Sequence, residues 1–424
     1  MRFRVLHTAD LHFTNHADKL QEVVRTTDYL LEQAAVDPPD VIIVSGDSVD
    51  EYDGRIRLDS DAARAAISFV QRAADIAPVV IIRGTKSHDK EAPYIFRHLR
   101  ARFPIHVSTE IEQVALVSSP LGEPSFRDLV DAMHSGDDVK CALTLVPSVD
   151  KANLAAMFPG SVRDGNLLMR EVLHDLFAGL GLVNEQIPAG IPRVLVTHGM
   201  VTGAQFSSGQ TAIGEDLEFG VDDLLRANAD LYCLGHVHKF QAFAGKIFYS
   251  GSPGRLNFGE QEEKGFLVHE FTDASRLPTT RFVPTPARSF CFGEVAWDGD
   301  AAAFEAEVAR VEAGCSGADV RFRYSIPEED RHLVDRASLE QRLLAAGASR
   351  AKIECQVIPK TRQRAAGISQ MQSLPEKVQK WGATVGVDIP ESVLSIASVI
   401  EGVDVEEILT SIDGGDINEA AKAA

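Results

Sequence analysis

No apolar run in this chain approaches the roughly 20 residues that a membrane helix needs, so no transmembrane segment is expected. Cysteine is scarce: the five residues (Cys141, Cys233, Cys291, Cys315, Cys355) are odd in number, dispersed, and never form a CxxC pair. That excludes a disulfide scaffold and reads as reduced thiols packed as small hydrophobes. Positive charge is also short, with 42 Lys and Arg against 62 Asp and Glu, a formal net of −20. A general polyanion binder is thereby excluded, although a local basic stretch is not. Internal repeats and low-complexity tracts are lacking. The opening Met1-Arg2-Phe3-Arg4-Val5-Leu6-His7 has no signal-peptide layout, so a cytoplasmic location is expected. The 424 residues suffice for two or three domains with a proper core.

What is present begins with alternating strand and helix patterns. Phe3–His7 reads as a strand, and Ala17–Ala35 carries Leu20, Val23, Val24, Leu30 and Leu31 at helical spacing. Val41–Val44 and Val79–Ile82 are fully apolar strands separated by a helix at Ala62–Ala74. Such order predicts βαβ units with buried parallel strands. Around Gln113–Val117 and Cys141–Val146 the runs shorten and helices drop out, which predicts a second sheet with more antiparallel pairing. Helices are expected at 149–158 and 165–180. Strands Val194–Thr197, Leu231–Leu234, Ile247–Ser250 and Phe266–Phe271 complete an α/β sandwich of two packed sheets flanked by helices.

The pattern resets near Pro284–Pro286. We therefore expect a main domain over 1–283 and a small α+β domain over 287–364, with a helix at Ala302–Ala313, a strand at Val320–Ser325, a helix at Ala337–Ala346 and a strand at Ala351–Ile358. Residues 370–424 form an acidic segment with two apolar helical patterns. One runs from Leu374 to Trp381. The other starts after Pro390, a good first helical position, and carries Leu394, Ile396, Val399 and Ile400. These helices pack on their own domain or dock on a partner.

Five blocks each follow a strand reading: Asp10-Leu11-His12, Gly46-Asp47, Ser87-His88-Asp89, Thr197-His198 and Gly235-His236-Val237-His238. Singly, an Asp-x-His or a Gly-Asp is more often a cap, a turn or a core residue; together, in order, they predict ligands converging on one sheet edge. Asp10 and His12 point the same way only if the chain stays extended between them. Asp47 is the natural bridging carboxylate. Carboxylates and imidazoles together suit manganese, iron or zinc better than magnesium. Two such ions a few ångströms apart clamp the oxygens of a phosphoryl displacement and acidify a bound water, so no Ser or Cys nucleophile is needed. His88 would then stabilise charge or protonate the leaving oxygen, with Asp89 as its orienter.

These blocks resemble the calcineurin-like metallophosphoesterases, and within them the SbcD-type DNA repair nucleases. The resemblance is carried also by Val5-Leu6-His7-Thr8-Ala9-Asp10-Leu11-His12, Tyr249-Ser250-Gly251-Ser252-Pro253, Phe258-Gly259-Glu260 and Lys264-Gly265-Phe266. It implies that Asp10, His12, Asp47 and His238 hold one metal, and Asp47, His198 and His236 the other, with His88 catalytic. It further implies a manganese-dependent exonuclease and endonuclease, usually a homodimer, acting on DNA with an SbcC-type coiled-coil ABC ATPase. Residues 287–364 would be the capping domain. Their segment 336–364 holds seven basic residues against Glu340 and Glu354, so Arg336, Arg342, Arg350, Lys352, Arg362 and Arg364 are the expected DNA contacts. Trp381, Leu394, Ile396, Val399 and Ile400 would face the ATPase.

One departure stands out. Where the family shows Gly-Asn-His, this chain reads Gly84-Thr85-Lys86-Ser87-His88. Ser87, or Thr85 instead, would have to supply the neutral oxygen, and a weaker second metal is expected. Lys86 either meets a substrate phosphate or is simply solvated. Two other functions stay open: a stand-alone metallophosphodiesterase acting on small nucleotides or phosphodiesters, and a scaffold that has lost catalysis.

Overall fold

The computed structural model describes residues 2–51, 54–119, 121–148, 165–207, 210, 218–273, 275–359 and 367–402. The helix expected at 149–158 lies outside them. β1 (Phe3–Thr8), β2 (Val41–Val44), β3 (Val79–Ile82) and β4 (Ile105–Ser108) are parallel neighbours. Two helices, α1 (Ala17–Val36) and α2 (Asp61–Ile76), connect the first three of them. Every residue of β1, β2 and β3 is buried, because both faces of the sheet are covered, and this is why their sequences lack polar alternation.

A second sheet follows, with β5 (Glu112–Ser118), β6 (Pro124–Asp128), β7 (Asp138–Val146) and β8 (Arg193–His198). β5 pairs antiparallel with both β6 and β7, as the shortened runs predict, and β8 lies parallel to β7. The helices between them are α3 (Leu129–Ser135) and α4 (Gly165–Glu185). β9 (Met200–Val201) and β10 (Glu218–Phe219) form a separate two-stranded ribbon, and α5 (Val221–Leu225) leads to β11 (Leu231–Gly235). β12 (Gln241–Phe243) and β13 (Ile247–Tyr249) close one edge of this sheet, whose order is β12-β13-β11-β8-β7-β5-β6. β14 (Gly265–Thr272) and β15 (Ser275–Pro284) return to the first sheet, ordered β15-β14-β1-β2-β3-β4.

The period-2 alternation of each strand sorts the core into layers. Val5, Val41, Ile43, Val80 and Ile82 meet Leu143, Val194, Val196 and Leu231 between the sheets. Leu6, Ile42, Val44, Val79 and Ile81 turn the other way and pack on α1 and α2. On the far side Leu195, Tyr232, Leu234 and Tyr249 pack with Phe177 of α4 and Leu224 of α5. The result is a helix–sheet–sheet–helix sandwich.

Beyond it, β16 (Ser289–Ala296), β17 (Ala318–Pro327) and β18 (Arg350–Ile358) form a three-stranded sheet in that order. Helices α6 (Ala301–Gly314) and α7 (Arg336–Ala345) match the expected spans to within one residue at each end. α8 (Leu374–Val385) opens on a capping box of Ser373 and Glu376. α9 spans Glu391–Glu401 and so starts after Pro390, which is its N-cap. Proline's fixed φ suits the position, and its ψ of 147° keeps it just outside the helical turn. By contacts the chain falls into two compact units: Met1–Glu294 with Glu305–Phe322 and Ala337–Glu354, and Val295–Phe304 with Arg323–Arg336 and Cys355–Ala424.

Candidate metal centre

The five blocks sit where the carboxyl ends of β1, β2, β3, β8 and β11 emerge. Parallel pairing of β1 with β2 and β3, and of β8 with β11, aligns those ends within each sheet. This edge is where open α/β sheets bind ligands. The chain does not stay extended from Asp10 to His12, both residues having φ of 54°, yet the two still share a group. Asp47 (φ 48°) and His236 (φ 103°) are also left-handed. Each such conformation in a non-glycine residue costs on the order of 1–3 kcal/mol and must be held by its surroundings. Here Asp10 N–H donates to Gly46 O (3.1 Å), His12 N–H to Asp47 O (3.0 Å) and Phe13 N–H to Ser48 O (3.1 Å). Convergence therefore comes from two zipped, tightly turning loops.

Those turns gather two groups of side chains. Asp10, His12 and His238 form one and Asp47, His198 and His236 the other, with the ligand atoms of each group within 4.8 Å of one another. All six are buried, none more than 8% exposed. Nε2 of His12 lies 3.0 Å from Nε2 of His238. Oδ2 of Asp47 lies 3.3 Å from His198 Nε2 and 4.0 Å from His12 Nε2, so this carboxylate faces both groups. Room is kept by glycine. A Cβ on Gly84 would overlap the backbone N and Oδ1 of Asp47, and one on Gly46 would overlap the His198 ring.

The electrostatics reflect this crowding. Burial raises the Asp10 carboxyl above its ordinary range. Burial acts the same way on Asp47, but the adjacent His198 outweighs it and holds Asp47 well below that range. Burial lowers His12 well below an ordinary imidazole and His236 to about 3. His198 is buried too, yet Asp47 and Asp10 overcome that effect and raise it to about 10. Imidazole nitrogens and carboxylates packed this closely, without water-exposed escape, are the donor set of a divalent-cation pair, and the residues present fit one.

A further set of residues holds the ligands in place. His198 Nδ1 donates to Ser45 O (2.7 Å), which leaves Nε2 towards Asp47. The Asp10 carboxylate accepts the His236 N–H (2.9 and 3.1 Å). Gln210 Oε1 accepts the His238 N–H (3.2 Å), and its amide donates to His236 O. Lys264 Nζ donates to His238 O (2.8 Å) and pairs with Glu260 at 2.7 Å, both side chains fully buried. Nothing in the sequence singles out Ser45 or Gln210; Glu260 and Lys264 are marked only by the resemblance.

His88 lies beside the first group, its ring edge-on to His12 with centroids 4.7 Å apart. The residue on its Nδ1 is Asp50, at 2.9 Å. This corrects the expectation for Asp89, which is buried with Oδ1 accepting Val49 N–H (3.0 Å) and Oδ2 accepting Gly84 N–H (2.7 Å). Burial, then the Asp47 charge, raises the Asp89 carboxyl to about 7. Its place is to clamp the loop. For His88, burial opposes the cation, but Asp50 and Asp47 prevail and raise its pKa. Of the two candidate neutral oxygens, Thr85 is the nearer: its N–H (2.7 Å) and Oγ1 (3.1 Å) both donate to Asp47 Oδ1, whereas Ser87 Oγ donates to Thr85 Oγ1 (3.1 Å).

Downstream, the basic stretch is less free than its composition suggests. Arg342 binds Glu305 and Glu312, Arg350 binds Asp319 and Asp18, and Lys352 binds Glu354. Arg336 starts α7 and is engaged as well, while Arg362 and Arg364 lie outside the described residues. α8 and α9 pack on each other; their buried positions are Gly382, which lies against Val387 and Ile389 of the connecting segment, and Ala397. Trp381 (44%), Ile396 (52%), Val399 (57%) and Ile400 remain exposed, and Leu394 is half-buried. Among the described residues, no helix is long and apolar enough to cross a membrane.

A search of curated proteins finds no match to the chain. Residues 3–240, more than half of it, match the model of the calcineurin-like phosphoesterases. That span runs from β1 through His238 and so encloses both ligand groups and His88. With the sandwich fold and this converged donor set, the chain belongs to the calcineurin-like phosphoesterase family, whose members hydrolyse phosphoesters with divalent metals.

Proposed function

We propose that this phosphoesterase is a DNA nuclease, the SbcD-type subunit of a complex with a coiled-coil ABC ATPase, using manganese. The observation that carries the hydrolytic reading is Asp47 standing between the two His/Asp groups with the Asp50-held His88 at their side. Asp10, His12, Asp47 and His238 would hold one ion, and Asp47, His198 and His236 the other. When bound, such a pair supplies Lewis acidity towards a phosphoryl oxygen and lowers the pKa of a water. The chain's own part is positional and protonic. With Nδ1 of His88 bonded to Asp50, the ring would give a proton to the departing oxygen through Nε2. The Thr85 hydroxyl, which donates to Asp47 Oδ1, would do the work of the asparagine oxygen that the resemblance implies.

The DNA assignment rests on the SbcD-type motifs, from Val5-Leu6-His7 to Lys264-Gly265-Phe266, and the ATPase on the exposed apolar residues of α8 and α9. A small phosphodiester is the second reading. It is favoured by the −20 charge and by the carboxylates that already neutralise Arg342, Arg350 and Lys352. Purified protein with manganese is incubated with end-labelled duplex DNA, hairpin DNA or small phosphodiesters, with His88→Ala as control. Degradation of DNA that vanishes in the variant supports the nuclease. Hydrolysis of small esters alone replaces it with the second reading, and silence on every substrate points to a scaffold.

A further inference from the structure

A second cluster of ligand-type side chains lies inside the sandwich, among the apolar residues between the sheets. His7 of β1, Cys233 of β11 and His269 of β14 follow the alternation that turns Val5, Leu231, Leu267 and Phe271 inward. One ligand atom from each lies within 4.8 Å of the other two. All three residues are fully buried at 0% exposure. The two imidazoles stack with centroids 5.7 Å apart and planes 26° from parallel.

Imidazole pairs are costly in an apolar interior unless their nitrogens are bonded, and here each ring is only half satisfied. His7 Nε2 meets Leu234 O at 3.2 Å, and His269 Nδ1 meets Thr280 Oγ1 at 2.8 Å. His7 Nδ1 and His269 Nε2 have no hydrogen-bond partner among the described residues. With Nε2–H donating to Leu234 O, the lone pair of His7 is on Nδ1. Thr280 Oγ1 can accept from Nδ1–H, and in that tautomer, the one a metal would select, the lone pair of His269 is on Nε2. This is how metal-binding histidines are held, by a hydrogen bond on the opposite nitrogen. A thiol completes the set.

We infer that His7, Cys233 and His269 form a structural site for one thiophilic d¹⁰ cation, copper(I) or zinc(II), separate from the catalytic pair. Two imidazoles and a thiolate are a soft donor set, unlike the cleft groups, each of which includes a carboxylate and no thiol. On binding, the Cys233 S–H bond breaks, a metal–sulfur bond forms, and the proton passes to solvent. No oxidant or reductant is involved. Charge favours copper(I): it neutralises the thiolate, whereas zinc(II) leaves a net positive charge with no carboxylate in the trio. Since the three strands belong to both sheets, the ion would pin one sheet to the other and enter as they close.

The test uses the full chain, dialysed against a chelator that strips the open cleft and then analysed for metal by mass spectrometry. One equivalent of copper or zinc is expected in the wild type and in His236→Ala, and its loss in Cys233→Ala and His269→Gln. Metal-edge X-ray absorption on the wild type alone guards against variants that fail to fold. One sulfur and two imidazoles around the ion support the site. Folded wild-type protein without the equivalent, or with only nitrogen and oxygen around its metal, overturns it.

Discussion

Asp50 is acidic in a run of acidic residues, Asp47-Ser48-Val49-Asp50-Glu51, and nothing local separates it from its neighbours. Its role becomes visible only when the β2 and β3 loops meet and its carboxylate reaches His88 Nδ1. Asp50→Asn keeps a polar partner but removes the charge that raises the imidazole. If the His88 cation is the proton donor, activity is present at low pH and is lost as pH rises through its pKa. That loss should then move to lower pH in Asp50→Asn, with kcat about 10-fold down at neutral pH, a part of the roughly 10²–10⁴-fold that a positioned general acid contributes. A pH profile of kcat with an unmoved limb would remove Asp50 from this role. Thr85 invites a second substitution. Thr85→Val preserves shape and deletes the hydroxyl that meets Asp47, so half-maximal activity should need roughly 10-fold more manganese, as is usual when an outer partner of a metal ligand is lost. Ser87→Ala should do less, and the reverse order would return Ser87 to the expected ligand position.

Strands are the elements that a reader of sequence sees best, and the reason is burial on both faces. Val41-Ile42-Ile43-Val44 and Val79-Val80-Ile81-Ile82 declare themselves because no residue in them meets water. The same physics made the metal ligands legible as blocks after strands. It hid how they converge, since Asp10 and His12 turn left-handed without any glycine to signal it. The ribbon of β9 and β10 was likewise invisible, two residues a strand being too short for any periodicity. Between β8 and β11, which deliver His198, His236 and His238, a buried pair fixes the approach of the chain. Arg193 Nε and Nη2 meet Asp230 at 3.0 and 2.7 Å, and Arg193 Nη1 also binds Asn184 O. Arg193→Ala strands a buried carboxylate, which costs about 3–5 kcal/mol when nothing replaces the partner. Arg276, 3.7 Å from Asp230, should hold the loss near the lower figure. Urea unfolding would measure it, and a change under about 1 kcal/mol would show the pair to behave as an exposed one.

At −20 overall the chain still gathers a cleft suited to cations, and the partner proposed above would dock on the exposed apolar residues of α9. Ile396→Asp with Val399→Asp puts charge on exposed positions of α9 without touching the buried Ala397. Co-purification with the coiled-coil ATPase should fail while manganese-dependent hydrolysis by the isolated chain is unchanged. Binding that survives both charges would move the dock elsewhere. The hydrolytic reading as a whole depends on whether Asp47 joins two cations, and crystals grown with manganese and measured at its absorption edge address that directly. Two anomalous peaks are expected, one among Asp10, His12, Asp47 and His238 and one among Asp47, His198 and His236. A map with no peak in the cleft, or with Asp47 turned away from whatever ion is there, would contradict it.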